Sequence, residues 1–180
     1  LDYGEADTLT GLANRKTFDK HLFEVLGKAG NDDQHCHTSA PKRRQGNHES
    51  QHWLAVCDID FFKRINDNHG HLIGDEVLVM FSRLMRESFR YDDQLFRFGG
   101  EEFVAVLQPA KEASVHAVFE RFRQSVEAHL FSRVGHVTVS TGYSRLLPND
   151  TPSDVIDRAD EALYYCKHNG RNQSACFETL

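Results

Sequence analysis

At 180 residues, with 39% hydrophobic and 27% charged side chains, the chain is long enough for one domain with a sizeable core and too short for two comfortable ones. A formal net charge of -6 argues against bulk nucleic-acid binding, because any phosphate-binding groups have to be gathered locally. No apolar run approaches the roughly 18 residues of a membrane span, and no signal-peptide pattern is present.

Phe18, Leu22, Val25 and Leu26 recur at helical spacing and predict a first helix over residues 15–28. Residues 29–52 have no period and few apolar side chains, so they read as a polar loop insertion. Its His35, Cys36, His37, His48 and His52 match no structural zinc spacing, and the loop is taken as solvated. Trp53-Leu54-Ala55-Val56-Cys57 is wholly apolar and ends in Asp58, as expected of a central buried strand. Residues 66–74 are expected to form a loop, followed by a helix over 75–89 with Leu78, Phe81, Met85 and Phe89 on one face.

Two β-prone runs, 95–98 and 101–107, flank Gly99-Gly100, a hairpin signal because both turn positions call for positive φ. Val115, Phe119, Phe122, Val126 and Leu130 mark another amphipathic helix. Residues 136–143 alternate as a strand, with Val137, Val139, Thr141 and Tyr143 on one face. Thr151-Pro152-Ser153-Asp154 is a helix start, with Pro at the first helical position and an acid in the first turn. Val155, Ala159, Ala162, Leu163 and Cys166 supply that helix's inner face, and Gly170 ends it. A short strand near 175–177 closes the order. The middle portion is β-α-β-β-α-β, so the expected class is α+β: a single domain over 1–180 with a ferredoxin-like, palm-type, mostly antiparallel sheet.

Asp58 and Asp60 fall at the end of the buried strand, and Glu101 and Glu102 open the strand after the Gly-Gly turn. In such a sheet these strands are neighbours, so the acids are expected to converge at one end of it. Converging carboxylates suit hard divalent cations, Mg²⁺ or Mn²⁺, with substrate phosphates supplying further ligands. That is a layout for two-metal phosphoryl or nucleotidyl transfer. Acids at strand ends are also often plain solvated turn residues. Phe61-Phe62-Lys63 brings backbone N–H groups and a lysine to the same strand end, as a phosphate cradle does. Lys167 and Arg171 lie four apart around the last helix's C-terminus, a placement that its dipole alone also favours. Cys36, Cys57, Cys166 and Cys176 form no C-x-x-C pair; Cys57 and Cys166 read as buried thiols, fitting a reducing cytoplasm.

Together these segments resemble the GGDEF family of diguanylate cyclases. Asp7 with Thr8-Leu9-Thr10-Gly11-Leu12-Ala13-Asn14-Arg15 is similar to the family's opening D-x-L-T-G-L-x-N-R. Asp58-Ile59-Asp60-Phe61-Phe62-Lys63-Arg64-Ile65-Asn66-Asp67 follows D-x-D-x-F-K-x-x-N-D, and Gly70-His71-Leu72-Ile73-Gly74-Asp75 follows G-H-x-x-G-D. Gly99-Gly100-Glu101-Glu102-Phe103 is the G-G-E-E-F form of the signature. Thr138 to Gly142, and Ala159-Asp160-Glu161-Ala162-Leu163-Tyr164 with Lys167 and Gly170-Arg171-Asn172, resemble its late strand and closing helix.

The resemblance implies conversion of two GTP to cyclic di-GMP and two pyrophosphates. Asp58, Glu101 and the Ile59 carbonyl would hold two cations, and Glu101, or failing it Glu102, would deprotonate the ribose 3′-hydroxyl. Asn66 and Asp75 would read guanine. Lys63, Lys167, Arg171 and the N–H groups of Phe61 and Phe62 would hold the triphosphate beside Gly99 and Gly100. Catalysis would need a homodimer, each copy supplying half of the site. Arg90 and Asp93 form R-x-x-D with five residues between Asp93 and Gly99, the offset of the family's product-inhibition site, with Arg121 a candidate second basic group. Since the chain begins at Leu1, a sensor or anchor is expected upstream. The competing readings are a catalytically silent receptor for cyclic di-GMP or GTP, another metal-dependent nucleotide cyclase or polymerase, and a structural interaction domain.

Overall fold

The computed structural model describes residues 4–31 and 51–180. In chain order it holds α1 (Arg15–Asn31), β1 (Gln51–Ile59), α2 (Phe62–His69), α3 (His71–Ser88), β2 (Gln94–Gly99), β3 (Glu102–Ala110), α4 (Glu112–Ala128), β4 (Val139–Arg145), α5 (Pro152–His168) and β5 (Ser174–Cys176), with a 3₁₀ turn over Phe177–Thr179. The strands form one sheet in the order β2-β3-β1-β4-β5, antiparallel except for the β4–β5 pair. This is the expected α+β arrangement. The loop histidines His35, His37 and His48, and Cys36, lie outside the described residues.

Strand β1 is apolar from Trp53 to Cys57 because both of its faces are covered there. Ala55, Cys57 and Ile59 pack with Phe81, Phe103, Phe119 and Phe122 in the layer made by α2, α3 and α4. Leu54 and Val56 pack on the other face with Phe18, Leu22, Val104, Val155 and Leu163, beneath α1 and α5. Gly142 is what lets α5 lie against β4. A Cβ there would stand 2.2 Å from the Ala159 carbonyl oxygen and 2.2 Å from the Leu163 nitrogen. Helix α5 is started as anticipated: the Thr151 hydroxyl accepts from the Asp154 N–H, and the Asp154 carboxylate accepts from the Thr151 N–H.

Three expectations are corrected. Residues 66–74 are not a loop: α2 covers Phe62–His69, and α3 begins at His71 after a break at Gly70, whose φ is 84°. Phe62 and Ile65 are buried and tie α2 to the core, which outweighs the turn-forming Asn66-Asp67-Asn68. Leu130 is exposed, because α4 ends at Ala128 before it. The last strand runs Ser174–Cys176, and Phe177 opens the 3₁₀ turn. Cys57, Cys166 and Cys176 are buried free thiols, and among the described residues no helix is long and apolar enough to cross a membrane.

Candidate active site

The antiparallel β1–β3 ladder places Asp58 opposite Glu102 and Cys57 opposite Phe103. The β2–β3 turn and the exit of β1 therefore share one end of the sheet. Gly99 and Gly100 take φ of 120° and 53°, so this turn does need two residues without a Cβ. Beside it opens a cleft of about 480 Å³. Asp58 and Glu101 both line it, together with Ile59, Lys63, Lys167 and Arg171.

Asp58 is only 9% exposed. One carboxylate oxygen accepts from Lys167 Nζ, and the other, Oδ1, is buried with no hydrogen-bond partner among the described residues. Burial is the main influence on this carboxyl and raises its pKa; the Lys167 hydrogen bond and charge oppose the rise, and the charges of Glu101 and Asp60 add to it. A buried carboxylate oxygen without a donor is an unmet demand for positive charge. The oxygen donors at the cleft are hard ligands, and among the described residues no cluster of three or more His, Cys, Asp or Glu side chains fit to hold a metal is found. A set this sparse fits a Mg²⁺-type ion that takes its remaining ligands from water and phosphate.

Asp60 does not join Asp58 and Glu101. Its carboxylate accepts from Thr138 Oγ1 at 2.7 Å, Ser140 Oγ at 2.7 Å and the Asn172 N–H at 3.0 Å. The Asp60 N–H donates to the Thr138 carbonyl at 2.9 Å, so this residue stays beside the segment that leads into β4, and Phe61, at a left-handed φ of 56°, then turns the chain into α2. Glu102, although in register with Asp58, is not on the cleft wall. Its pKa is raised, by burial first and then by the Asp160 and Asp58 charges.

Phe61 and Phe62 open α2, so their N–H groups belong to the unpaired set at a helix start. Two guanidinium groups, those of Arg64 and Arg171, lie over the Phe61 ring, each 4.6 Å from its centroid. Asn66 and Asp75 stand on α2 and α3, away from the wall of this cleft. Gly74 makes room for the first of them: a Cβ there would lie 1.9 Å from Asn66 Oδ1, which sets the amide against the residue before Asp75.

One contributor escaped the sequence reading. Arg97 donates from Nε (3.2 Å) and Nη2 (2.9 Å) to the Gly100 carbonyl, and from Nη1 to Asp7 (3.0 Å). The opening motif is thereby fastened to the Gly-Gly turn. The available signal was a charge between Phe96 and Phe98 in a strand.

At the far end of the same hairpin, Arg90 and Asp93 line a hollow of about 250 Å³ with Gln108 and Lys111. Asp93 accepts from the backbone N–H groups of Arg90 and Gln108, each at 3.0 Å. Arg121 is not on that wall; it donates to the Ser88 carbonyl at 3.0 Å.

The family described as "Diguanylate cyclase, GGDEF domain" matches residues 37–173. The chain is 36% identical over 170 residues to diguanylate cyclase DgcP of Pseudomonas aeruginosa, covering 93% of this chain and 23% of that protein. It is 40% identical over 124 residues to diguanylate cyclase A of Treponema denticola, covering 67% of this chain and 33% of that protein. The chain thus spans only a quarter to a third of these relatives' length. The crystal structure of the GGDEF domain of DgcB from Caulobacter crescentus in complex with c-di-GMP is similar at a TM-score of 0.85 and 30% identity, covering 99% of this chain and 98% of that one. Since the match runs through every segment that builds the cleft, the chain belongs to the GGDEF-domain diguanylate cyclase family.

Proposed function

We propose that the chain is the catalytic domain of a diguanylate cyclase, joining two GTP molecules into cyclic di-GMP with release of two pyrophosphates. The observation that carries this reading is the unpartnered, buried Oδ1 of Asp58 on a cleft shared with Glu101 and with the cationic side chains of Lys63, Arg64, Lys167 and Arg171. Divalent cations, Mg²⁺ or Mn²⁺ and two per site, held by Asp58, Glu101 and the Ile59 carbonyl, would neutralise phosphate charge and polarise the α-phosphorus.

The chain's own groups do the rest. Lys63, Lys167, Arg171 and the N–H groups of Phe61 and Phe62 bind the triphosphate. Asn66 offers a donor and an acceptor to guanine, and Asp75 accepts from its N1–H and amine. Glu101, which lines the cleft where Glu102 does not, takes the proton of the 3′-hydroxyl. The freed 3′-oxygen bonds to the α-phosphorus of a GTP held by a second copy, and the bond from that phosphorus to the pyrophosphate oxygen breaks. Two such transfers close the ring. Each copy supplies half of the machinery, so a homodimer is the working unit, and catalysis is mainly positioning and electrostatics.

Arg90 and Asp93 at the far hollow are proposed to bind the product cyclic di-GMP and restrain the enzyme, with Arg90 contributing its guanidinium to guanine and phosphate. Turnover of GTP with Mg²⁺ over a range of protein concentrations tests the main reading. Specific activity should rise with concentration, and Glu101→Gln should lower it at least about 10³-fold. Constant specific activity across wide dilution would reject the two-copy mechanism, and an active Glu101→Gln variant would reject the assigned base.

A further inference from the structure

Asp60 stands two residues from Asp58 and behaves in the opposite way. Its side chain has no solvent exposure, and Thr138, Ser140 and the Asn172 N–H all donate to it. A buried carboxylate is expensive to keep, and a neutral residue would fill the same space. Its use lies in what it holds. After α5 the chain runs through Gly170, Arg171 and Asn172 with φ of 105°, 61° and 44°. Two side-chain-bearing residues in succession at positive φ are strained and persist only where their surroundings over-determine them.

Here they are over-determined from three sides. The Arg171 N–H donates to the Cys166 carbonyl at 2.9 Å, and the Asn172 N–H donates to Asp60 at 3.0 Å. From α4, Arg123 donates to Asn172 Oδ1 at 3.1 Å, and Glu127 accepts from Asn172 Nδ2 at 3.0 Å. The outcome of this bracing is the place of one side chain: the Arg171 guanidinium lies over the Phe61 ring, on the wall of the cleft. Arg171 Nη1 is 3.9 Å from Asp60 Oδ1, an ion pair too long for a hydrogen bond, so that pairing leaves the donors of the fork for a phosphate.

We infer that Asp60 is a positioning residue for the triphosphate: it fixes the strained turn that aims Arg171 into the cleft. The inference rests on the reading of Arg171 as a phosphate ligand. The test is calorimetric binding of 3′-deoxy-GTP, which cannot react, in the presence of Mg²⁺. Four proteins are compared: the parent chain, Asp60→Asn, Arg171→Gln and the double variant. Asp60→Asn should weaken binding about tenfold, and in the Arg171→Gln background it should have no further effect. Additive losses would overturn the inference, because Asp60 would then act through Asp58 or through the fold; unchanged binding by Asp60→Asn would overturn it too. If Asp60→Asn does not fold, Thr138→Val, which removes one donor to the carboxylate, should weaken binding about twofold with the same dependence on Arg171. Equal loss with and without Arg171 would count against the inference in that case. A parent chain that does not bind 3′-deoxy-GTP would bring down the GTP reading itself. A parent that binds, with Asp60→Asn indistinguishable from it, would bring down only the role of Asp60.

Discussion

The β2–β3 hairpin carries a candidate site at each end, and the two ends treat their carboxylates differently. At the Gly99–Gly100 end, Asp58 from the neighbouring strand is buried with one oxygen unpartnered, and Glu101 sits on the same wall. At the other end, Asp93 has both oxygens engaged by backbone N–H groups and helps to shape the corner before β2. The first carboxylate is held in want of a cation and the second is spent on the fold. Arg90 thus stands at the far hollow as an exposed cation, while the near cleft keeps a buried carboxylate oxygen without a donor among the described residues.

The largest expected effect tests that contrast directly. Asp58→Asn should lower cyclic di-GMP formation by about 10³-fold, while the thermal midpoint stays level or rises. The stability half follows from burial: the native state disfavours this charge, and Lys167, partly exposed, can return to water. A fall of several degrees would make Asp58 structural, like Asp93, and dissolve the comparison. Next comes Gly142→Ala, which drives a Cβ into the backbone of the helix that delivers Lys167 to Asp58. Urea unfolding should show a loss of about 3 kcal/mol or more.

Asp7 sharpens the account of how the near turn is braced. Burial raises its pKa, but the Thr10 hydrogen bonds, side-chain and backbone, and the Arg97 pairing prevail and hold it below the usual carboxylate range. A depressed native pKa contributes stability above the unfolded-state value near 4, and that contribution fades as pH falls toward the native one. Asp7→Asn should therefore cost about 2 kcal/mol at pH 7 and markedly less near pH 3, measured by urea unfolding at both. The smallest effect belongs to the far end. Arg90→Ala should shift unfolding by less than about 0.5 kcal/mol while relieving inhibition by added cyclic di-GMP. Asp93→Ala should cost about 1–2 kcal/mol because two backbone N–H groups lose their acceptor. Unchanged inhibition in Arg90→Ala would remove the far hollow from the account.

The sheet and its catalytic end were legible because the signals were redundant. A uniformly apolar run marked β1, a Gly-Gly step marked the hairpin, and a ferredoxin-like order makes those strands neighbours. Helix α2 was not legible: only Phe62 and Ile65 are buried in it, too few to display a period, and the following polar residues read as a turn. Asp60 was grouped with Asp58 at the end of the buried strand; its capture by Thr138, Ser140 and Asn172, all far along the chain, left no local signal. The reach of Arg97 across the turn to Gly100 and Asp7, and the capture of Arg121 by the end of α3, are tertiary facts with no periodic trace in the chain.

The central claim is that Asp58 and Glu101 form one cation site that a nucleotide completes. Titration of the parent chain with Mn²⁺ in the presence of 3′-deoxy-GTP, following the resonance signal of the free ion, tests it most directly. Mn²⁺ should bind the parent and nucleotide together, and be lost at least about tenfold from both Asp58→Asn and Glu101→Gln. Undiminished Mn²⁺ binding by Asp58→Asn would contradict the account.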